Sequence, residues 1–331
     1  MRILLVKLSS LGDVVHTLPV VQDILTVMPD AQIDWVVEKA FAPLLAPIKG
    51  LQRIIPCELR RWRQSLGSAR TWREWRAFQA DLQAARYDAV IDLQGLTKSA
   101  AVARLAKMTT TGKRYAMANQ TDGSGYEAPT RWVADVAVSL VSRIHAVARG
   151  RLLAAKALGY DAQALEKSPN YGLNIHPAQS IRMQHAIKVI ALMHGTSRQD
   201  KTWPLRRWVE LGQRLAADGY RLALVHGSAQ ELATSRAIAA ELGHNSVVWP
   251  LQSLDALTQQ LATCQGAIGV DSGVSHIAVA LGLPHVQIYN FPTAWRTGPL
   301  AADHQLSVFD LHGPTVDVVW QTWLQCVGNT S

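Results

Sequence analysis

An acid, two hydroxyls and glycines follow a short apolar run in Gly269-Val-Asp-Ser-Gly-Val-Ser-His276. Ala267–Val270 reads as a buried strand, and Val274–Leu281 as a helix that stops at Gly282 with Pro284 just beyond. The unpaired amides of a helix start and the helix dipole both favour negative charge. Asp271, Ser272 and Gly273 therefore frame a turn that suits a phosphate or a sugar diphosphate. The plainer role for Asp271 or Ser272 is to cap the helix. His276, in the first turn, is placed either to donate to a phosphate or simply to pack. A second polar turn, His194-Gly-Thr-Ser-Arg-Gln-Asp-Lys201-Thr-Trp-Pro204, also follows an apolar run. Thr196 and Ser197 offer hydroxyl donors there and Lys201 a mobile ammonium, a set able to hold a diphosphate and the charge of a leaving group. A surface loop is its bland version. In Gly227-Ser-Ala-Gln-Glu231, Glu231 is either an acceptor for ribose hydroxyls or an ordinary first-turn acid. Near the other end of the chain lies Ser9-Ser10-Leu11-Gly12-Asp13. A carboxylate such as Asp13, on a glycine turn, can take a proton from an attacking hydroxyl. Its alternative is a helix cap, with Ser9 and Ser10 satisfying turn amides.

Other chemistries find no support. There is no Walker motif, no Gly-x-Ser-x-Gly elbow and no paired-cysteine site. Cys57, Cys264 and Cys326 stand far apart, and His16, His194 and His226 show no metal-ligand spacing. Gly123-Ser-Gly-Tyr-Glu-Ala128 mimics a dinucleotide fingerprint, but no strand is predicted before it and Pro129 follows. No apolar run approaches the ~18 residues of a membrane span. Ile3–Val6 is cut short by Lys7 and reads as a strand rather than a signal peptide. A reducing, cytoplasmic location is expected, with the sequons at Asn119 and Asn329 idle.

The formal charge is +8, and it is concentrated. Lys49, Arg53, Arg60, Arg61, Arg63, Arg70, Arg73 and Arg76 face only Glu58 and Glu74, with Trp62, Trp72 and Trp75 interleaved. Such a patch speeds capture of an anionic partner: nucleic acid, acidic lipid or a phosphorylated glycolipid. A solvated arginine-rich helix face is the alternative.

The elements that must position these turns alternate. Strands are predicted at Arg2–Lys7, Ile33–Val37, Arg53–Pro56 and Ala89–Ile91, then at Val189–Met193, Leu222–His226, Ala267–Val270 and His285–Tyr289. Helices are predicted at Val14–Val27, Thr71–Arg86, His145–Leu158, Pro204–Ala217, Gln230–Leu242, Leu254–Cys264 and Thr315–Val327. Trp72, Trp75, Phe78 and Leu82 fall on one stripe of the Thr71–Arg86 helix, and Gly12 permits a tight reversal. The stretch from Thr109 to Arg131 has no clear period. Glu166–Pro177 reads as a linker. With 331 residues, the pattern implies an α/β protein of two Rossmann-like, parallel-sheet domains facing across a cleft, with ligands beyond the carboxyl ends of the strands.

Taken together, Lys7-Leu-Ser-Ser-Leu-Gly-Asp-Val-Val-His-Thr-Leu-Pro19, Ile33-Asp-Trp-Val-Val-Glu38, Arg60-Arg-Trp-Arg63, Tyr87-Asp-Ala-Val-Ile-Asp-Leu-Gln-Gly-Leu-Thr-Lys-Ser99, Asp200-Lys-Thr-Trp-Pro204 and Val270-Asp-Ser-Gly-Val-Ser-His276 resemble the bacterial lipopolysaccharide heptosyltransferases. The Arg60–Arg63 and Asp92–Lys98 pieces are closer to heptosyltransferase I than to heptosyltransferase II. The resemblance implies the glycosyltransferase type B fold. Its domains would be an acceptor domain over 1–172, a nucleotide-sugar domain over 173–312, and a closing helix over 313–331 that returns to the first. It implies ADP-L-glycero-β-D-manno-heptose as donor, Kdo2-lipid A as acceptor, and inverting transfer to the inner Kdo. Asp13 matches the general base. Thr196, Ser197, Lys201, Glu231, Asp271, Ser272, Gly273 and His276 match the donor side, with Lys201 also stabilising the leaving group. Ser10, Gly12, Arg60, Arg61, Arg63 and Lys98 match the acceptor side. No metal, no cofactor and no nucleic acid are implied, and the expected place of work is the cytoplasmic face of the inner membrane, peripherally bound. Asn290-Phe291 replaces the family's usual glycine after Tyr289. A related transferase with another nucleotide sugar, a nucleotide-sugar epimerase and a nucleic-acid-binding module are the rival readings.

Overall fold

A computed structural model describes residues 1–162, 168–173, 175, 188–196, 198–300 and 302–328. The chain divides into two units, Met1–Gly172 and Leu173–Ser331. The linker expected at 166–177 falls partly outside the described residues; 168–173 and 175 are described, and the division between the units, at Gly172/Leu173, lies within it.

The first unit carries six strands: β1 (Arg2–Val6), β2 (Gln32–Glu38), β3 (Leu51–Cys57), β4 (Arg86–Asp92), β5 (Lys107–Met117) and β6 (Val136–Val138). They lie in the order β3-β2-β1-β4-β5-β6, and every pairing is parallel. A parallel sheet covered by helices on both faces buries both faces of its central strands, so these read as unbroken apolar runs. Ile3, Leu4, Leu5 and Val6 are accordingly all buried.

The second unit repeats the plan with β7 (Lys188–Met193), β8 (Tyr220–Leu224), β9 (Ser246–Val248), β10 (Gly266–Val270), β11 (His285–Tyr289) and β12 (Gln305–Phe309). Its order is β12-β11-β10-β7-β8-β9, again wholly parallel. In both sheets the first strand is central, the next two strands run to one side and the last three to the other. The direction of strand order therefore reverses beside β1 and beside β7, and open α/β sheets bind ligands at that reversal, beyond the carboxyl ends of the strands.

Several expectations are corrected. The unassigned stretch contains most of β5, whose β-branched Thr109-Thr-Thr111 run is interrupted by Gly112; the β4–β5 register shifts between Tyr87 and Ala89. The strand expected at Leu222–His226 begins two residues earlier, at Tyr220. Gly12 makes no reversal: it is the second residue of the helix Leu11–Val27, and its φ is not positive. Pro204 precedes the helix Leu205–Ala217 as its cap residue instead of opening it. Trp72 leaves the predicted stripe. Thr71, Phe78 and Leu82 are buried in the helix Ala69–Leu82, whereas Trp72 is 50% exposed. The closing helix, Val316–Gly328, packs within the second unit, where Val316, Val319, Trp323 and Cys326 join its core.

Candidate active site

In the first unit, the β1/β4 reversal sets the turn after β1 beside the turn after β4. Gln94 joins them: its Oε1 accepts from the Leu8 and Ser9 amides, both at 3.1 Å. The β4 turn is held by Asp92, whose Oδ1 accepts from the amides of Gln94 (2.9 Å) and Gly95 (3.2 Å) and whose Oδ2 accepts from Ser99 Oγ (2.9 Å). Gly95 has φ +77°, which favours glycine, and a Cβ there would meet Met117. Burial raises the Asp92 carboxyl to about 6, against the lowering effect of those hydrogen bonds.

Asp13 stands in the first turn of the Leu11–Val27 helix. Its Oδ2 accepts from the Ser10 amide (3.1 Å) and Ser10 Oγ (2.9 Å). Its Oδ1 faces Lys7 Nζ at 3.5 Å and Arg149 at 3.8 Å. Burial alone would raise this carboxyl; Lys7, the Ser10 amide, Arg149 and His16 outweigh it and hold Asp13 well below the usual carboxylate range. It is an anion at any neutral pH. Lys98 donates to Ser9 Oγ at 2.9 Å, which brings the start of the helix Thr97–Leu105 to the same turn.

The three expected arginines divide. Arg61 is tied to Glu58 (3.0 and 2.9 Å) and to Glu74, whereas Arg60 and Arg63 are exposed and make no ion pair among the described residues. An open pocket of ≈ 390 Å³ beyond β2 and β3 is lined by Glu38, Lys39, Ala40, Glu58, Arg60, Arg61 and Gln64.

In the second unit the β7/β10 reversal joins the two phosphate-type turns. Asp271 is buried. Its carboxylate pairs with Lys201 and lies 3.4 Å from both His276 Nε2 and Thr297 Oγ1. Burial would raise the Asp271 carboxyl, but His276 and Lys201 outweigh it and keep the group ionised. Thr196 Oγ1 donates to the Asp271 carbonyl at 3.4 Å. Ser272 caps the helix Gly273–Ala280, accepting from the Ser275 amide at 3.4 Å. Glu231 Oε2 accepts from the Gly227 amide at 2.6 Å, and its carboxylate lies 2.5 Å from where a Cβ of residue 195 would sit. Glu231 thus reaches the β7 turn because Gly195 leaves room. Arg198 lies over the Phe291 ring at 5.4 Å, and Asn290 donates to the Asp200 carbonyl, so the unusual Asn290-Phe291 pair buttresses the Lys201 loop. Ser197 lies outside the described residues.

Sequence reasoning missed Lys7, Arg149 and Thr297. Lys7 reads as a strand end, and the signal available is its position: an ammonium ending a run of four apolar residues has to find a partner. Arg149 and Thr297 carry no local signal, since they reach Asp13 and Asp271 only through tertiary packing.

Residues 75–319 match glycosyltransferase family 9 (heptosyltransferase). The chain is 37% identical over 290 residues to lipopolysaccharide heptosyltransferase 1 of Escherichia coli K12, covering 87% of this chain and 88% of that one. It is 36% identical over 304 residues to the lipopolysaccharide heptosyltransferase 1 of Pseudomonas aeruginosa, covering 90% and 81%. The solved structure of E. coli heptosyltransferase WaaC with ADP superposes with a TM-score of 0.84 at 34% identity, covering 97% of this chain and 98% of that one. With two such sheets and a polar turn at each reversal, the chain belongs to glycosyltransferase family 9, the heptosyltransferases.

Proposed function

We propose that this chain transfers L-glycero-D-manno-heptose from ADP-L-glycero-β-D-manno-heptose to the inner Kdo of Kdo2-lipid A, with inversion. The observation that carries the reading is Asp13: a carboxylate kept ionised by Lys7 and Arg149 at a strand-order reversal. Its low basicity suits a base that acts late, as a hydroxyl loses its proton while already bonding to the anomeric carbon. The Kdo oxygen attacks opposite the ADP, its proton passes to Asp13, and ADP departs with the electron pair of the broken bond. One base and a stabilised leaving group suffice for such a displacement.

Lys201 and the Gly273 helix start supply the leaving-group side. Asp271, paired with Lys201 and near His276, holds the ammonium and the imidazole at the turn where a diphosphate meets the helix amides. Thr196, Ser197 and Glu231 complete the donor side, with Glu231 accepting from ribose hydroxyls. The relatives support this donor, since one is solved with ADP. Arg60, Arg63 and Lys98, exposed, take the acid and phosphate groups of the acceptor. Arg61 is already committed to Glu58 and Glu74 and acts by shaping the pocket. Such an acceptor calls for work at the cytoplasmic face of the inner membrane, peripherally bound; no helix among the described residues is long and apolar enough to cross a membrane.

The test is ADP release from ADP-heptose with and without Kdo2-lipid A. Release that requires the acceptor is expected. Release without any acceptor, or none with either, refutes the reading.

A further inference from the structure

Two helices, Leu59–Gln64 and Ala69–Leu82, form a hairpin whose tip is Ser65-Leu66-Gly67-Ser68. Leu66 is 58% exposed and Trp72 50% exposed. They are one feature, because Trp72 Nε1 donates to the Leu66 carbonyl at 2.8 Å. That bond satisfies the only polar atom of the indole, so what remains for a partner is apolar ring surface beside an aliphatic side chain. The tip is held in place: Ser65 Oγ bonds Thr71 Oγ1 at 2.8 Å, and Glu74 takes both Trp62 Nε1 (3.0 Å) and Arg61.

The charge around this knob has one sign. From Glu58 to Arg76 six arginines oppose two glutamates. Both glutamates are spoken for, Glu58 by Arg61 and Glu74 by Arg61 and Arg70. Arg63, Arg73 and Arg76, exposed on the same two helices, make no ion pair among the described residues. The buried face of the second helix, Thr71, Phe78 and Leu82, points into the first unit, so Trp72, Arg73 and Arg76 face outward.

We infer that this hairpin tip, Leu66 with Trp72 between unpaired arginines, is a docking surface for an anionic lipid bilayer. Amphipathic surfaces that join Trp and Leu to arginines seat at the headgroup level, where the indole ring is at home and the guanidinium groups meet acidic lipid. The pocket lined by Arg60, Arg61 and Gln64 adjoins the tip along the chain. An amphiphilic acceptor then keeps its charged sugars at the pocket and its acyl chains in the layer the tip touches. The inference rests on the lipid-acceptor reading above, in that the reading supplies the reason to approach a membrane. An RNA strand is the poorer occupant, because an aliphatic leucine offers it nothing to stack on.

The full chain is sedimented with large vesicles of phosphatidylcholine alone, and of phosphatidylcholine with phosphatidylglycerol. Binding to the acidic vesicles, weakened by half-molar salt, is expected. The pair Arg73→Gln and Arg76→Gln should weaken it by about thirtyfold, and Leu66→Ser with Trp72→Ala by about tenfold. Turnover of a water-soluble, deacylated Kdo acceptor should be unchanged in Leu66→Ser/Trp72→Ala, and this also shows that the variant is folded. Equal binding to both vesicles, or acidic-vesicle binding that survives both variants, overturns the surface. So does tight binding of a single-stranded RNA that the same variants abolish. Native chain that binds acidic vesicles but transfers no heptose to the soluble acceptor refutes the functional reading and leaves the surface standing.

Discussion

Replacing Asp13 by asparagine separates its two roles. Lys7 is 3% exposed, with Nζ at 3.5 Å from the Asp13 carboxylate and 3.0 Å from the Leu93 carbonyl. Asparagine keeps the shape but leaves that ammonium buried beside Arg149, with the Leu93 carbonyl as hydrogen-bond partner and Asp92 as remaining counter-charge. A charge pair at this distance is worth about 5 kcal/mol at an effective dielectric of ~20; because a third of the Asp13 side chain meets solvent, screening reduces the loss to roughly 2–3 kcal/mol. Adding Lys7→Met removes the stranded charge and should recover most of that stability. Catalysis should behave otherwise. Loss of a general base costs about 10²–10⁴ in turnover, and Lys7→Met cannot restore it. The pH dependence has a definite sign. Asp13 is held below its ordinary value, so its stabilisation is complete above an unfolded value of about 4 and fades as pH falls below it. The stability gap between the native chain and Asp13→Asn should therefore be level at neutral pH and close in acid. Urea unfolding, ADP calorimetry and steady-state ADP release measure the three quantities, with ADP affinity unchanged throughout. Turnover of Asp13→Asn within about threefold of native, or recovered by Lys7→Met, would refute Asp13 as the base.

Asp92 gives the opposite pH sign. Burial raises it to about 6, so the native state binds the extra proton and loses stability as pH rises from ~4 to ~6, by up to roughly 3 kcal/mol relative to Asp92→Asn; urea midpoints for the two proteins that run parallel with pH would rule this out. Gly195→Ala pushes only the far end of the Glu231 side chain, so stability should change little while ADP-heptose affinity falls about tenfold through the displaced carboxylate; unchanged affinity by calorimetry removes Glu231 from the donor pocket. The arginine pair should split: Arg60→Ala raises the acceptor KM and leaves the melting temperature alone, whereas Arg61→Ala, which takes one partner from each of Glu58 and Glu74, lowers the melting temperature. Equal kinetic and thermal effects from the two would contradict the geometry.

Much of the fold is legible locally. Apolar runs ending in Gly-, Ser- and Asp-bearing turns mark β1, β4, β7 and β10, because a strand buried on both faces has to be apolar throughout and its exit has to satisfy turn amides. The elements that escaped are short or peripheral: β6, β9, β12 and most of β5. Such strands are half-covered, so their composition carries charges such as Lys113 and Arg114. Trp72 shows the same limit from the other side. Helical spacing placed it near Trp75, Phe78 and Leu82, but the hairpin tip, through the Leu66 carbonyl, turned it outward.

The chemistry at each turn is local: the residue order dictates which acid, hydroxyl or cation follows which strand. Which turns meet is settled by packing across the sheet. Gln94 reaches Leu8 across 86 residues, and Lys201 reaches Asp271 across 70. Nothing in the spacing of either pair predicts those contacts. The physical reason is that hydrophobic periodicity records which face of an element is buried but not which strand lies beside it. Parallel neighbours are chosen by long-range packing, and the single reversal of strand order in each sheet brings the β1 and β4 turns, and the β7 and β10 turns, together.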